Sequence, residues 1–194
     1  PRLAWADDAA WARFANNIGV QAWVAKQGGM EGLMVDPEDY SGSRQFYRAV
    51  TDPEYPACAA LGRKRGAQIM SAIAKEYPDV TILSFWFLSM ERSCAAMPDV
   101  AAALAEKGTL WPAFINGMLD AIPPGAKLAD GDEGAYGYEA IRQDFYVAGW
   151  NTLNGVLSLV APEKHRKYRN QAQASIGSYT DCSHNHANTP DYCG

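Results

Sequence analysis

The sequence predicts an α/β fold in which parallel strands alternate with helices. Three observations carry this. Apolar runs rich in β-branched and aromatic residues recur at 32–36, 80–87 and 126–130. Between them lie stretches with helical periodicity, each long enough for a parallel crossover. The residues that look functional, acids beside aromatic rings, follow the strands, as they do where a site sits at the C-terminal ends of parallel strands.

The first segment, Trp5 to Gln27, places Trp11, Phe14, Ala15, Ile18, Ala22 and Ala25 on one helical stripe, with Asp7 or Asp8 as N-cap and Gly28 and Gly29 as the stop. The first strand, Gly32 to Asp36, reads as short and buried, and it delivers Asp36, Glu38 and Tyr40 to one end of the sheet. The long polar and aromatic loop after it is of the kind that often carries function. Pro56 opens a second helix with Gly66, Met70, Ile73 and Tyr77 inward, closed by Pro78 and Asp79.

Val80 to Phe87 (VTILSFWF) is nearly without charge and reads as a buried parallel strand, its end presenting Trp86 and then Glu91 and Arg92. Helices around Pro98–Glu106 and Leu110–Ala121 return the chain, and Pro123–Gly125 turns it into the third strand, Ala126 to Asp130. A fourth long helix is expected from Tyr138 to Val160, with Ile141, Phe145, Ala148, Thr152, Val156 and Leu159 on its stripe. After Pro162 come a short basic helix and a weak fourth strand, Ala174 to Tyr179. Trp11, Trp23, Trp111 and Trp150 all fall on helix stripes and are expected in the core.

At 194 residues the chain holds one α/β domain, whereas a barrel of eight strand and helix units usually takes about 250. The chain opens on a helix that should follow a strand and closes after a strand that lacks its helix. The expectation is therefore part of a larger (β/α)8 (TIM) barrel, with a complete small open sheet as the alternative.

Composition excludes several classes. No apolar run approaches the roughly 18 residues a bilayer span needs, and a net charge of −5 without a basic stripe argues against nucleic acid. The basic run Lys164–Arg169 reads as a solvated helix face. Neither glycine-rich phosphate motif follows a strand, and no cofactor is called for. Cys58 and Cys94 read as buried or half-buried thiols; Cys182 and Cys193 bracket a polar loop that a disulfide would staple in an exported, extracellular or periplasmic protein. His184 and His186 share that loop, but their spacing fits no standard zinc pattern.

Two strands thus end in acids beside tyrosines. Glycosidic cleavage needs one protonated and one ionised carboxyl group facing each other across a sugar, with aromatic rings as a platform. Glu38 as general acid and Glu133 as nucleophile or base fit that need, with Asp36 and Asp130 tuning them or binding sugar hydroxyls and Tyr40, Trp86, Tyr136 and Tyr138 lining the rim. Each acid is also respectable turn and cap chemistry. Two other readings use the same residues: a divalent-metal barrel enzyme with Asp36, Glu38, Asp130 and Glu133 as ligands, and a carbohydrate-binding barrel without catalysis.

The stretch GLMVDPEDY, the RKRG of Arg63–Gly66 before EYPDV (Glu76–Val80), and the run FINGMLDAIPPGAKLADGDEGAYGY from Phe114 to Tyr138 resemble uncharacterised bacterial proteins with a glycoside-hydrolase-like barrel. The resemblance covers most of the chain. It implies a carbohydrate substrate and carboxylate catalysis at positions such as Glu38 and Glu133.

Overall fold

The computed structural model describes residues 2–38, 42, 44–132 and 142–175. Helix α1 (Asp8–Gln27) is capped by Asp7, whose carboxylate accepts from the Ala10 amide, and it stops at Gly28. Strand β1 (Gly32–Val35), helix α2 (Tyr55–Glu76) and strand β2 (Thr81–Ser84) follow. A 3₁₀ turn at Ser89–Glu91 leads into α3 (Arg92–Ala95), α4 (Val100–Lys107) and α5 (Trp111–Ala121). Strand β3 (Lys127–Asp130), helix α6 (Arg142–Trp150), helix α7 (His165–Gln171) and strand β4 (Ala172–Ala174) complete the described chain.

The four strands form one sheet in the order β1-β2-β3-β4, and every neighbouring pair is parallel. Each crossover steps one strand in the same direction, without the reversal of a doubly wound sheet. The register aligns Leu33 with Ile82, Leu128 and Ala172, and this row joins the hydrophobic core. The alternate row, Met34, Leu83 and Ala129, lies outside that core, and Met34 is 59% exposed.

Under the first row, α2 and α5 cross so closely that no side chain separates them. A Cβ at Gly66 would fall on the Phe114 carbonyl oxygen, and one at Gly117 on the carbonyl oxygen of Arg63. Next to this crossing Trp5 stacks on Trp11 at 5.1 Å, and Phe46 meets Trp111 edge-on at 4.4 Å. Arg65 is buried there, its guanidinium donating twice to the Trp5 carbonyl and once to Asp8 at 2.6 Å.

Several expectations need correction. Strand β1 is the outer strand of the sheet among the described residues, half-buried instead of buried. Strand β2 ends at Ser84, and the rest of its apolar run turns away with Phe87 and Leu88 packed into the core. Strand β4 begins at Ala172, and most of the expected strand lies outside the described residues.

The helix expected to reach Val160 ends at Trp150, where a π turn (Asn151–Gly155) and a 3₁₀ turn (Leu157–Leu159) take over. The Thr152 hydroxyl donates to the Ala148 carbonyl, and the Asn154 amide to that of Trp150, so side chains compete with the helical pattern at this point. Of the helix-borne tryptophans, Trp11 and Trp111 are buried, whereas Trp23 and Trp150 are 50% and 68% exposed, because no described element covers the helix faces that carry them. The basic run is only partly solvated: Lys164 pairs with Asp120 at 2.8 Å and Lys167 donates to the Leu119 carbonyl, which ties α7 to α5.

Candidate functional site

At the C-terminal edge of the sheet the chain leaves β1 and β2 by two different turns. Pro37 has no N–H to extend a ladder, and the Asp36 carboxylate accepts from the Glu38 amide at 2.9 Å, so the backbone folds over directly after the strand. After β2, the Ser84 hydroxyl donates to the Trp86 carbonyl at 2.8 Å and turns that residue out of the ladder. Both Glu38 and Trp86 come to rest in the wall of one open cavity of about 560 Å³. Arg44, Phe46, Tyr47, Met90, Glu91, Lys107, Thr109 and Trp111 complete most of that wall.

The far side of the cavity is built by backbone pairing. Residues Tyr47 and Thr109 form an antiparallel bridge, the Leu110 amide donates to the Phe46 carbonyl at 2.7 Å, and the Arg48 amide donates to that of Gly108 at 2.7 Å. The Gln45 side-chain amide is tied to the Leu3 backbone at both ends, its Oε1 accepting from the Leu3 N–H and its Nε2 donating to the Leu3 carbonyl. The long loop after β1 is thereby fixed to the α4–α5 turn.

Glu91 sits at the base, 1% exposed, and accepts from the Thr109 hydroxyl and the Lys107 ammonium, each at 2.8 Å. Burial alone would push the Lys107 ammonium down; the hydrogen bond and charge of Glu91 outweigh it and hold that group above the ordinary lysine value. Burial, reinforced by the Glu91 charge, pushes the Tyr55 phenol up to about 12 and raises the Cys94 thiol. Both stay protonated at neutral pH, so the base of the cavity offers a satisfied ion pair and no thiolate nucleophile.

Beneath the wall lies a second polar layer. The Asp130 carboxylate, at the end of β3, accepts from the Ser89 hydroxyl at 2.6 Å, the Ser89 amide and the Asp132 amide, each at 3.0 Å. Burial raises its carboxyl above the usual range, against the lowering effect of these bonds. Asp132 takes a left-handed backbone, φ 42°, and its carboxylate bridges Arg92 at 2.6 Å and the Thr152 hydroxyl at 2.7 Å. These bonds pin the two chains that leave β2 and β3 to each other.

Of the site residues expected from sequence, Glu38 and Trp86 share the cavity, and Asp36 stands exposed beside Glu38. Asp130 is buried and engaged on both oxygens, so it braces the rim from behind and is unsuited to ligate an ion or a sugar. Glu133, Tyr40, Tyr136 and Tyr138 lie outside the described residues, as do Cys182, Cys193, His184 and His186. Among the described residues no three His, Cys, Asp or Glu side chains gather as metal ligands. No helix there is long and apolar enough to cross a membrane.

Sequence reasoning missed Arg44, Lys107 and Thr109 and had Tyr47 only as part of a long aromatic loop, because these residues reach the cavity through the Tyr47–Thr109 bridge, which no local pattern announces. Glu91 was visible only as an acid beyond the second strand. Compared with known proteins, the chain matches no family model, no curated protein and no solved structure.

Proposed function

We propose that this chain is a glycoside hydrolase-like protein that binds a saccharide at the C-terminal edge of the sheet and cleaves a glycosidic bond with a carboxylate pair. One observation carries the reading: Glu38 and Trp86, from the ends of adjacent parallel strands, line the same open, aromatic-walled cavity. Trp86 and Tyr47 offer rings of the kind on which sugars stack, Phe46 and Trp111 back the wall from the core, and the cavity falls within the size range of small-molecule sites.

Glu38 is the carboxyl group nearest this reading, and Glu133 is the proposed second member. It follows directly after Asp132, which Arg92 and Thr152 anchor beyond β3. A separation of about 5–5.5 Å would make the pair retaining, and about 6.5–9.5 Å inverting. The finer fold reading, an arc of a (β/α)8 barrel, is supported by the unreversed parallel order and by a second sheet face that lies outside the helical core.

The test is turnover of aryl glycosides and polysaccharides by wild type, Glu38→Gln and Glu133→Gln. The amide keeps the shape and cannot transfer the proton, so each variant should lose about 10²-fold or more in kcat with an unchanged circular dichroism spectrum. Full activity in E38Q would sink the assignment, and loss of folding in both variants would make these acids structural.

A further inference from the structure

The charges around the cavity are not alike in what they have left to offer. Lys107 is committed to Glu91 at 2.8 Å. In the same loop region, Arg2 is committed to Asp52 and Arg48 to Glu54. Arg44 differs: among the described residues its guanidinium makes no ion pair, and its contact is the face of Tyr47, with the guanidinium carbon 5.6 Å from the ring centroid. Both residues line the cavity.

The backbone makes the same residue stand out. Arg44 has φ 47°, in the left-handed region that bulky side chains avoid and that costs of order 1 kcal/mol. Its carbonyl closes a turn onto the Tyr47 amide at 3.0 Å, a turn that glycine or asparagine would make with less strain. An arginine held there stands in the cavity wall with its guanidinium over a ring. Stacking on an aromatic face leaves the in-plane N–H donors free, and those donors match a carboxylate or sulfate edge to edge.

Resting on the saccharide reading above, we infer that the cavity takes an acidic saccharide, one bearing a uronic carboxylate or a sulfate ester, and that Arg44 receives the anionic group. Lys107, neutralised by Glu91, contributes little to that selection. Glu38 stands in the same wall, so the acidic group is oriented toward Arg44 and away from the carboxylate.

The experiment titrates the full 194-residue chain with oligosaccharides of matched length in three arms, uronic-acid, sulfated and neutral, read by calorimetry at low and high salt. Wild type should bind at least one acidic arm about tenfold tighter than the neutral arm, with the preference shrinking as salt rises. Arg44→Gln should erase the preference while neutral binding persists, and Arg44→Lys, which keeps charge without the fork, should restore part of it. Melting curves establish that both variants fold, as expected for an exposed side chain. Neutral sugars bound as tightly as acidic ones, or an acidic preference surviving in R44Q, would overturn the inference and leave the saccharide reading standing. Binding in none of the three arms would overturn both.

Discussion

Asp130 shows how much one side chain can be asked to hold. It closes β3 with a buried carboxylate that satisfies the Ser89 amide and hydroxyl and the Asp132 amide. Removing it in Asp130→Ala would orphan those donors in the interior, at a cost of about 1–3 kcal/mol in unfolding free energy. The titration has a definite sign. Burial raises the folded-state value, so the folded chain binds this proton more tightly than the unfolded one. Its contribution to stability is fully present below the ordinary value of 3.8 and is lost as pH rises through the raised folded value. Thermal melts of Asp130→Asn from pH 4 to 7 should therefore vary less with pH than those of wild type; parallel curves would show that the group titrates as in the unfolded chain. Read from sequence, Asp130 is an acid at a strand end that either tunes the carboxylate pair or binds sugar hydroxyls. Its true position depends on Ser89 arriving from another strand end, a contact between residues 41 apart. Glu38 was legible for the opposite reason: Asp36 and Pro37, its immediate neighbours, make the turn that puts it at the cavity.

At the scale of elements, the α2–α5 crossing dominates the helical layer. Gly66→Ala would ordinarily help a helix by about 0.5–1 kcal/mol. Here the new methyl meets the Phe114 carbonyl, a backbone atom that cannot swing aside. The clash should win, lowering the unfolding free energy by about 3 kcal/mol in urea titration; a neutral or stabilising result would mean the helices can part without penalty. Helix α1 was readable because its Asp7 cap agrees with an apolar stripe, and α2 and α5 because a proline in the first turn does. The stretch after Trp150 was not, since its stripe of Thr152, Val156 and Leu159 is buried as a helix would bury it while hydroxyl and amide side chains redirect the backbone. Trp23 and Trp150 misled for a related reason. A stripe position says which face a residue takes, but not whether another element covers that face.

For the whole molecule, parallel order and alternation were legible because crossover length leaves few other choices. The described strands show no closure into a barrel, and nothing local in a sequence encodes what lies beside an outer strand. Among the described residues, β1 pairs only with β2, and β4 only with β3. Hydrogen exchange should therefore be slowest at Ile82, Leu83, Leu128 and Ala129, with Leu33, Met34 and Gln173 at least about tenfold faster. Equal protection across all four strands would mean that the edges are covered in solution, by further strands or by another copy.

The wall facing Glu38 deserves a last consequence. Phe46 and Tyr47 are laced to Gly108, Thr109 and Leu110 by main-chain bonds, and Trp111 begins the helix that meets α2 backbone to backbone. With no compressible layer behind them, these rings cannot recede to admit a larger guest. This side of the cavity is therefore a mould set before any guest arrives, and added bulk has to be taken up elsewhere along the rim.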